Sequence, residues 1–194
     1  MNSFGRIFRD LRIQKNYSLK DVSNGILSPS FLSKFERGET DISLRNFYAL
    51  LERLNISLSE FTFIANNYEI SEYEKLLSAV KTAYENNNIS YLLYLSTLEM
   101  KKWEQSAIEH YKLNSIMIQA LLSNLDENRH LDQKEVEYLS DYLIRSEIWG
   151  YYEITLFRNS MSTLSITTII TLSKELIKKM QIFKKVDGTV NIFV

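Results

Sequence analysis

The apolar and polar positions divide the chain into a run of short helices followed by a run of longer ones. The spacing predicts a first helix from about Phe4 to Lys15, with Ile7, Phe8 and Leu11 turned inward. Ser18 offers an N-cap, with Asp21 three places on as its capping-box partner, and opens a second helix through Leu19 and Val22. Gly25 is the expected breaker. Ser28-Pro29 is a helix start, a hydroxyl cap followed by a proline whose missing N–H costs nothing there. The third helix is expected to bury Phe31, Leu32 and Phe35, run to about Arg37 and stop at Gly38. Ser43 caps a fourth helix with Leu44, Phe47, Leu50, Leu51 and Leu54 as its apolar stripe. Ser57 and Glu60 open a fifth, with Phe61 and Ile64 inward.

Asn66-Asn67-Tyr68 reads as a boundary, giving one domain over residues 1–66 and a second over 67–194. Beyond it, amphipathic stretches are expected near 71–86, 89–102, 105–124, 132–145, 147–160 and 163–183, with breaks at Asn86-Asn87-Asn88, around Glu104, at Asp126-Glu127-Asn128 and near Ser160-Met161-Ser162. Long helices joined by short links imply antiparallel pairs stacked as a helical-repeat array. Trp103 and Trp149 each stand near a junction and hint at a repeat of about 40 residues. The end, Val186 to Val194, is expected to be a tail or a stray strand. Five glycines and one proline supply little turn chemistry for many strands, so the fold class is all-α.

Apolar residues make up 45% of the chain, ample for a core, which excludes global disorder. No apolar run reaches the roughly 20 residues that a membrane span needs, and no secretory signal opens the chain. Cysteine is absent, which removes disulfides, thiolate metal sites and cysteine nucleophiles. A cytoplasmic protein is the simplest fit. The net charge of −1 hides an asymmetry: residues 1–37 carry seven cations against three acids, and residues 67–194 carry 14 against 17. Positive charge gathered at one end fits a nucleic-acid-binding head, although a charged run is more often only a solvated face.

The candidate chemistry lies in the third helix. Ser30, Ser33, Lys34 and Arg37 fall opposite its apolar side. Small hydroxyls and cations suit a DNA major groove, where they bond to base edges and neutralise phosphates. On the first helix, Arg6, Arg9 and Arg12 recur every three residues as an expected basic stripe. Enzyme readings find nothing comparable. His110 and His130 belong to no metal-spaced motif, Asp126-Glu127 is an ordinary acidic loop, and no glycine loop cradles phosphate. The expectation is no enzyme, no cofactor and no metal.

Ser33, Glu36 and Gly38, followed by Ile42-Ser43 and Leu54-Asn55-Ile56, resemble the helix-turn-helix of the xenobiotic-response-element and Cro/C1 repressor superfamily. That superfamily commonly places alanine, then a turn glycine four places later. Here those places hold Ser23 and Leu27, and the glycine sits at 25. This variant, with Phe47, Leu51, Glu60, Phe61 and the stretch Ile148-Trp149-Gly150 to Phe157, is similar to the Rgg/GadR/MutR regulators of Gram-positive bacteria. The resemblance implies a five-helix lambda-repressor-like head followed by a tetratricopeptide-like array. It also implies a homodimeric transcriptional regulator that in several members binds a short hydrophobic signalling peptide in the concave face of the array. Family members run longer, so a chain short at its C-terminus is expected, lacking the last helix pairs.

Carried over, Ser28, Ser30, Ser33 and Lys34 face the groove and Arg37 meets a phosphate. Arg9 or Arg12 adds specificity from the first helix, and Lys20 and Arg45 are phosphate contacts. Glu36 is expected to bond locally and hold the following loop. Tyr111, Asn114, Arg145, Tyr152 and Asn159 lie on stretches expected to line a peptide groove. A dimer places two recognition helices about 34 Å apart, so the operator is expected to be an inverted repeat. Two competitors share these features: a phage- or antitoxin-type repressor whose tail only dimerises, and a shortened interaction protein that pairs with a full-length relative.

Overall fold

The structure, a computed structural model, describes residues 4–186, with side chains through Lys178. Among the described residues every regular element is helical: eleven α-helices, one short 3₁₀ turn and no strand. The expected tail or stray strand lies, from residue 187 on, outside the described residues. The chain forms two compact units, Met1–Glu74 and Lys75–Val194, whereas the sequence pattern puts the boundary at 66/67.

The first unit contains α1 (Phe4–Gln14), α2 (Leu19–Ser23), α3 (Pro29–Glu36), α4 (Leu44–Arg53) and α5 (Leu58–Ala65). A serine precedes each of α2 to α5. Ser18, Ser28, Ser43 and Ser57 each accept a hydrogen bond from the N–H three residues on, satisfying a donor that the helix leaves unpaired. Asp21 returns the bond to the Ser18 N–H, and the Ser18 contacts hold its carboxyl below the usual range. Gly25 and Gly38 follow α2 and α3 with φ of +76° and +75°, left-handed conformations that glycine adopts without strain. After α3, the Gly38 N–H donates to Phe35 O and the Glu39 N–H to Lys34 O, a Schellman ending.

Phe8, Val22, Leu32, Leu50 and Phe61 are wholly buried. Phe8, Phe35, Phe47 and Phe61 make a chain of tilted and edge-on ring contacts with centroids 4.9–6.2 Å apart. Two residues expected inward are not. Phe31 is 39% exposed, and Leu44 is 71% exposed. At 100° per residue Phe31 lies a quarter-turn from Leu32, the centre of the arc that α3 buries with Phe35 and Glu36. Leu44 is the first residue of α4, at the edge of its stripe.

The first and third helices meet closely. A Cβ added at Gly5 would lie 1.9 Å from Phe35 O, so the two backbones touch where only glycine fits. Two turns further along α1, Arg12 is buried against the end of α3, donating from Nε to Glu36 Oε1 at 2.7 Å and from Nη2 to Glu36 Oε2 at 2.9 Å. Its Nη1 donates to Tyr17 O at 2.7 Å. The hydrogen bond to Glu36 raises the Arg12 pKa against the opposing effect of burial. Two expectations are corrected by this contact. Arg12 is not part of a surface stripe, because Glu36, 24 residues away, draws it inward. Glu36 does not bond locally; it ties α3 to α1.

The second unit contains α6 (Glu72–Glu85, whose first turn carries the division between units), α7 (Ile89–Ser106), α8 (Glu109–Leu125), α9 (Gln133–Arg145), α10 (Tyr151–Ser160) and α11 (Ile166–Val186). The break expected around Glu104 falls at Ala107, in the left-handed region with φ +54°. The helix expected from 147 begins at Tyr151. Before it, Trp149 is buried, its Nε1 donating to Leu143 O at 3.2 Å. Trp103 is only partly buried, beneath Lys112 Nζ at 4.8 Å, so the two tryptophans occupy different environments.

Pairings fix the helix directions. Ser96 meets Ser115 and Glu99 meets Asn114, so α7 and α8 are antiparallel. Asn114 meets Tyr152 and Met117 meets Asn159, so α8 and α10 run parallel. This is the order of stacked helical hairpins. The helix between them is the centre of the unit: Leu113 through Ile118 are buried without a break, a pattern of burial on all sides.

Two outcomes test the α1–α3 contact. Gly5→Ala should destabilise the first unit by about 2 kcal/mol, because overpacking against backbone outweighs the gain of about 1 kcal/mol in helix propensity. Arg12→Ala should cost about 3 kcal/mol by leaving Glu36 buried and unpaired, while the double change Arg12→Met/Glu36→Leu should recover most of that loss. Amide hydrogen exchange of α1 and α3 in the full chain measures both.

Candidate nucleic-acid interface

The second and third helices form a helix-turn-helix whose turn is held from a distance. Arg53, in the last turn of α4, donates from Nη1 to Asp21 O and from Nη2 to Asn24 O, both at 3.0 Å. It satisfies carbonyls at the end of α2 and fixes the turn that launches α3. Sequence reasoning missed this residue. Its partners lie 29 and 32 residues away, and the only local signal is a cation in a final helical turn.

On the outer side of α3, Ser28, Ser30, Lys34 and Arg37 are exposed and Ser33 is half-buried. Arg9, Lys20 and Arg45 are also exposed, and Arg12 alone of the nine expected residues is buried. The hydroxyls already have partners. Ser28 Oγ accepts from the Phe31 N–H at 3.2 Å and lies 3.1 Å from Ser30 Oγ. Arg37 donates from Nη1 to Ser33 Oγ at 2.5 Å and makes a two-pronged ion pair with Glu39, Nε to Oε1 at 2.6 Å and Nη2 to Oε2 at 2.8 Å. That pairing raises the Arg37 pKa and lowers that of Glu39, which Lys34 lowers further. The outer side of α3 therefore offers an exposed cation at Lys34 and a guanidinium engaged by its own chain, and α2 adds exposed Lys20.

Of the five residues expected to line a peptide groove in the second unit, Asn114 and Tyr152 meet, and the other three make separate contacts. Asn114 is 2% exposed, its Nδ2 donating to Glu99 Oε2 at 2.7 Å, while the Tyr152 hydroxyl lies 3.2 Å from its Oδ1 and 3.1 Å from His110 O. Lys102 Nζ completes this buried tie, donating to Glu99 Oε1 at 2.6 Å. Asn114 thus joins α7, α8 and α10 and is corrected from a groove residue to an internal one. Tyr111 lies under Lys102 Nζ at 5.4 Å, Arg145 pairs with Glu109, and Asn159 Nδ2 donates to Met117 Sδ at 3.6 Å. Near Arg145, Tyr142 donates to Glu153 Oε1 at 2.9 Å, and burial together with that bond pushes its pKa up to about 12.

A groove of about 480 Å³ opens elsewhere, between α7, α8 and the loop before α9. Leu93, Met100, Leu122 and Leu131 give it apolar walls. Ser96 and Ser115, 2.9 Å apart at Oγ, lie at its floor, with His130 at its rim. None of the five expected peptide residues lines it. The signal missed was the short side chains of Ser96 and Ser115, which leave room between two otherwise closely packed helices. Among the described residues no group of three acidic, histidine or cysteine side chains is placed to hold a metal, and no helix is long and apolar enough to cross a membrane.

Residues 94–194 match the C-terminal domain of the HTH-type transcriptional regulator Rgg, and residues 8–61 match a helix-turn-helix family. Among solved structures, the chain is similar to the SHP pheromone receptor Rgg2 of Streptococcus dysgalactiae, at 33% identity and a TM-score of 0.73. That match covers 91% of this chain and 60% of Rgg2. The fold is also that of a transcriptional regulator from Listeria monocytogenes EGD-e, at 21% identity and a TM-score of 0.77, covering 94% of this chain and 62% of that one. It extends to PrgX in its complex with iCF10, at 17% identity and a TM-score of 0.56, covering 90% and 59%. The chain thus spans about 60% of the length of these three proteins. A helix-turn-helix held at three points, an all-helical second unit and a match over more than half the sequence lead to one assignment: the chain belongs to the Rgg family of helix-turn-helix transcriptional regulators.

Proposed function

We propose that this chain is a sequence-specific DNA-binding regulator that acts in the cytoplasm as a homodimer on an inverted repeat and responds to a short hydrophobic peptide. Residues 1–66 are the DNA-binding domain and residues 67–194 the regulatory one. The observation that carries the reading is the outer side of α3, where exposed Ser28, Ser30, Lys34 and Arg37 stand on a helix fixed from behind by Gly5, Arg12 and Arg53. Lys34 and Arg37 are assigned to phosphates at the groove edge, with Arg9, Lys20 and Arg45 extending the cationic track. Ser28, Ser30 and Ser33 pair weakly with base edges, since one hydroxyl suits several of them. Arg12 is left out because it is buried.

The peptide half rests on the groove between α7 and α8 and on membership of a family that includes a pheromone receptor. An apolar peptide side chain fits between Leu93, Met100 and Leu131. For the peptide to act, it must bind one conformation or oligomer better than another.

The test is selection from a random-sequence duplex pool, followed by fluorescence anisotropy at two salt concentrations on the selected and a scrambled duplex. A preference of about a hundredfold or more at the higher salt is expected. Weak binding that fades equally on both duplexes leaves only the electrostatic term and overturns the reading. Lys34→Ala should weaken binding on all duplexes and flatten the log-log salt slope by about one unit. Glu39→Gln should tighten binding by about two- to fivefold, since it frees Arg37 from an exposed ion pair. Pooled synthetic hydrophobic peptides should shift the anisotropy, and no shift with any pool overturns the peptide half.

A further inference from the structure

Phe31 is the one large apolar side chain that α3 leaves exposed. It is not among the buried core residues of its unit, although the chain covers more than half of its surface. It stands in the first half of the helix, one helical turn from Lys34 and next in sequence to Ser30, both exposed. The chain covers more than half of the ring, and the remainder meets water at the boundary between the buried arc of α3 and the face that carries Ser30 and Lys34, where covering it would still gain free energy.

The neighbours of Phe31 sharpen its meaning. Ser28 and Ser30 lie within hydrogen-bond distance of each other, Ser28 also caps the helix, and Ser33 accepts from Arg37. A face read by hydroxyls alone discriminates bases poorly. Phe31 has no donor or acceptor to offer a base edge. The apolar group that base pairs present in the major groove is the C5-methyl of thymine, and phenylalanine is among the side chains that contact it. Residues in the first half of a recognition helix are those that reach base edges.

We propose that Phe31 is a specificity-determining residue that selects thymine by packing its ring on the C5-methyl group. This rests on the reading of α3 as a DNA-recognition helix. Sequence spacing assigns Phe31 to the core; only its exposure in the structure makes it available.

The experiment replaces each thymine of the selected duplex, one at a time, by deoxyuridine, which removes the methyl and leaves the hydrogen-bonding edges unchanged. With the unaltered protein, one or two positions per half-site should weaken binding by about fourfold, the effect of one buried CH₂ group. Phe31→Ala should bind the parent duplex about fourfold more weakly and lose all distinction between thymine and deoxyuridine at those positions. Phe31→Leu should keep part of that distinction. If deoxyuridine is neutral throughout with the unaltered protein, the proposal is overturned while DNA binding stands. The same holds if Phe31→Ala still discriminates the two bases. The deoxyuridine series uses the unaltered chain, so its outcome does not depend on how any variant folds. If selection yields no preferred duplex, the inference and the reading beneath it fall together.

Discussion

The first unit depends on the contact between α1 and α3. It is made at two points, a backbone approach at Gly5 and a buried ion pair between Arg12 and Glu36. On α3 both points lie at the C-terminal end, at Phe35 and Glu36, so that end is immobilised and the first turn is left facing outward. A buried ion pair is a weak source of net stability, because desolvating two charges offsets most of their attraction. Its value lies in direction. Sliding α3 along α1 would strand both charges in the core, so the pair penalises misorientation far more than it rewards the native position. Arg12 also bonds Tyr17 O, just before α2, and Arg53 bonds Asp21 O and Asn24 O at its end, so α2 is held by guanidinium groups at both ends. The orientation of the outward face is therefore set by residues that never reach it.

This arrangement explains what was legible in the sequence. Helix starts were readable because capping chemistry acts over three residues. Ser18, Ser28, Ser43 and Ser57 announce α2 to α5, and Gly25 and Gly38 announce two ends. Arg12 was misread because its spacing from Arg6 and Arg9 is local, whereas its partner lies 24 residues away. Phe31 was misread because a helix of eight residues has only about two turns in which to define its buried arc. The α7–α8 break was misplaced because Ala107 takes a left-handed conformation with no glycine or asparagine to signal it. The groove of the second unit was missed for another reason: small residues on two helices make a space only once those helices pair.

The second unit inverts the usual placing of polar groups. Its central helix is buried on all sides over Leu113–Ile118, yet Asn114 and Ser115 lie within that stretch and face Glu99 and Ser96 of α7. Each of these four buried side chains finds a partner, which avoids the penalty of an unpaired group and fixes the register of α7 against α8. A one-turn slip would break the Ser96–Ser115 and Glu99–Asn114 contacts together. Tyr152 extends the tie to α10, so three helices share one polar junction. The same serines that set the register also line the groove between α7 and α8.

The electrostatics of α3 bear on how its outward face discriminates. In the free chain Arg37 is already paired with Glu39 and bonded to Ser33, so DNA gains from it only the difference between a phosphate and a carboxylate partner. Ser28 and Ser30 likewise exchange one hydroxyl contact for another. Polar groups that trade partners at nearly equal free energy contribute position more than preference. The exposed part of the Phe31 ring has no hydrogen bond to give up, so covering it with an apolar group is not offset by a lost bond. On this face the group with the least polarity therefore has the greatest capacity to tell one base pair from another.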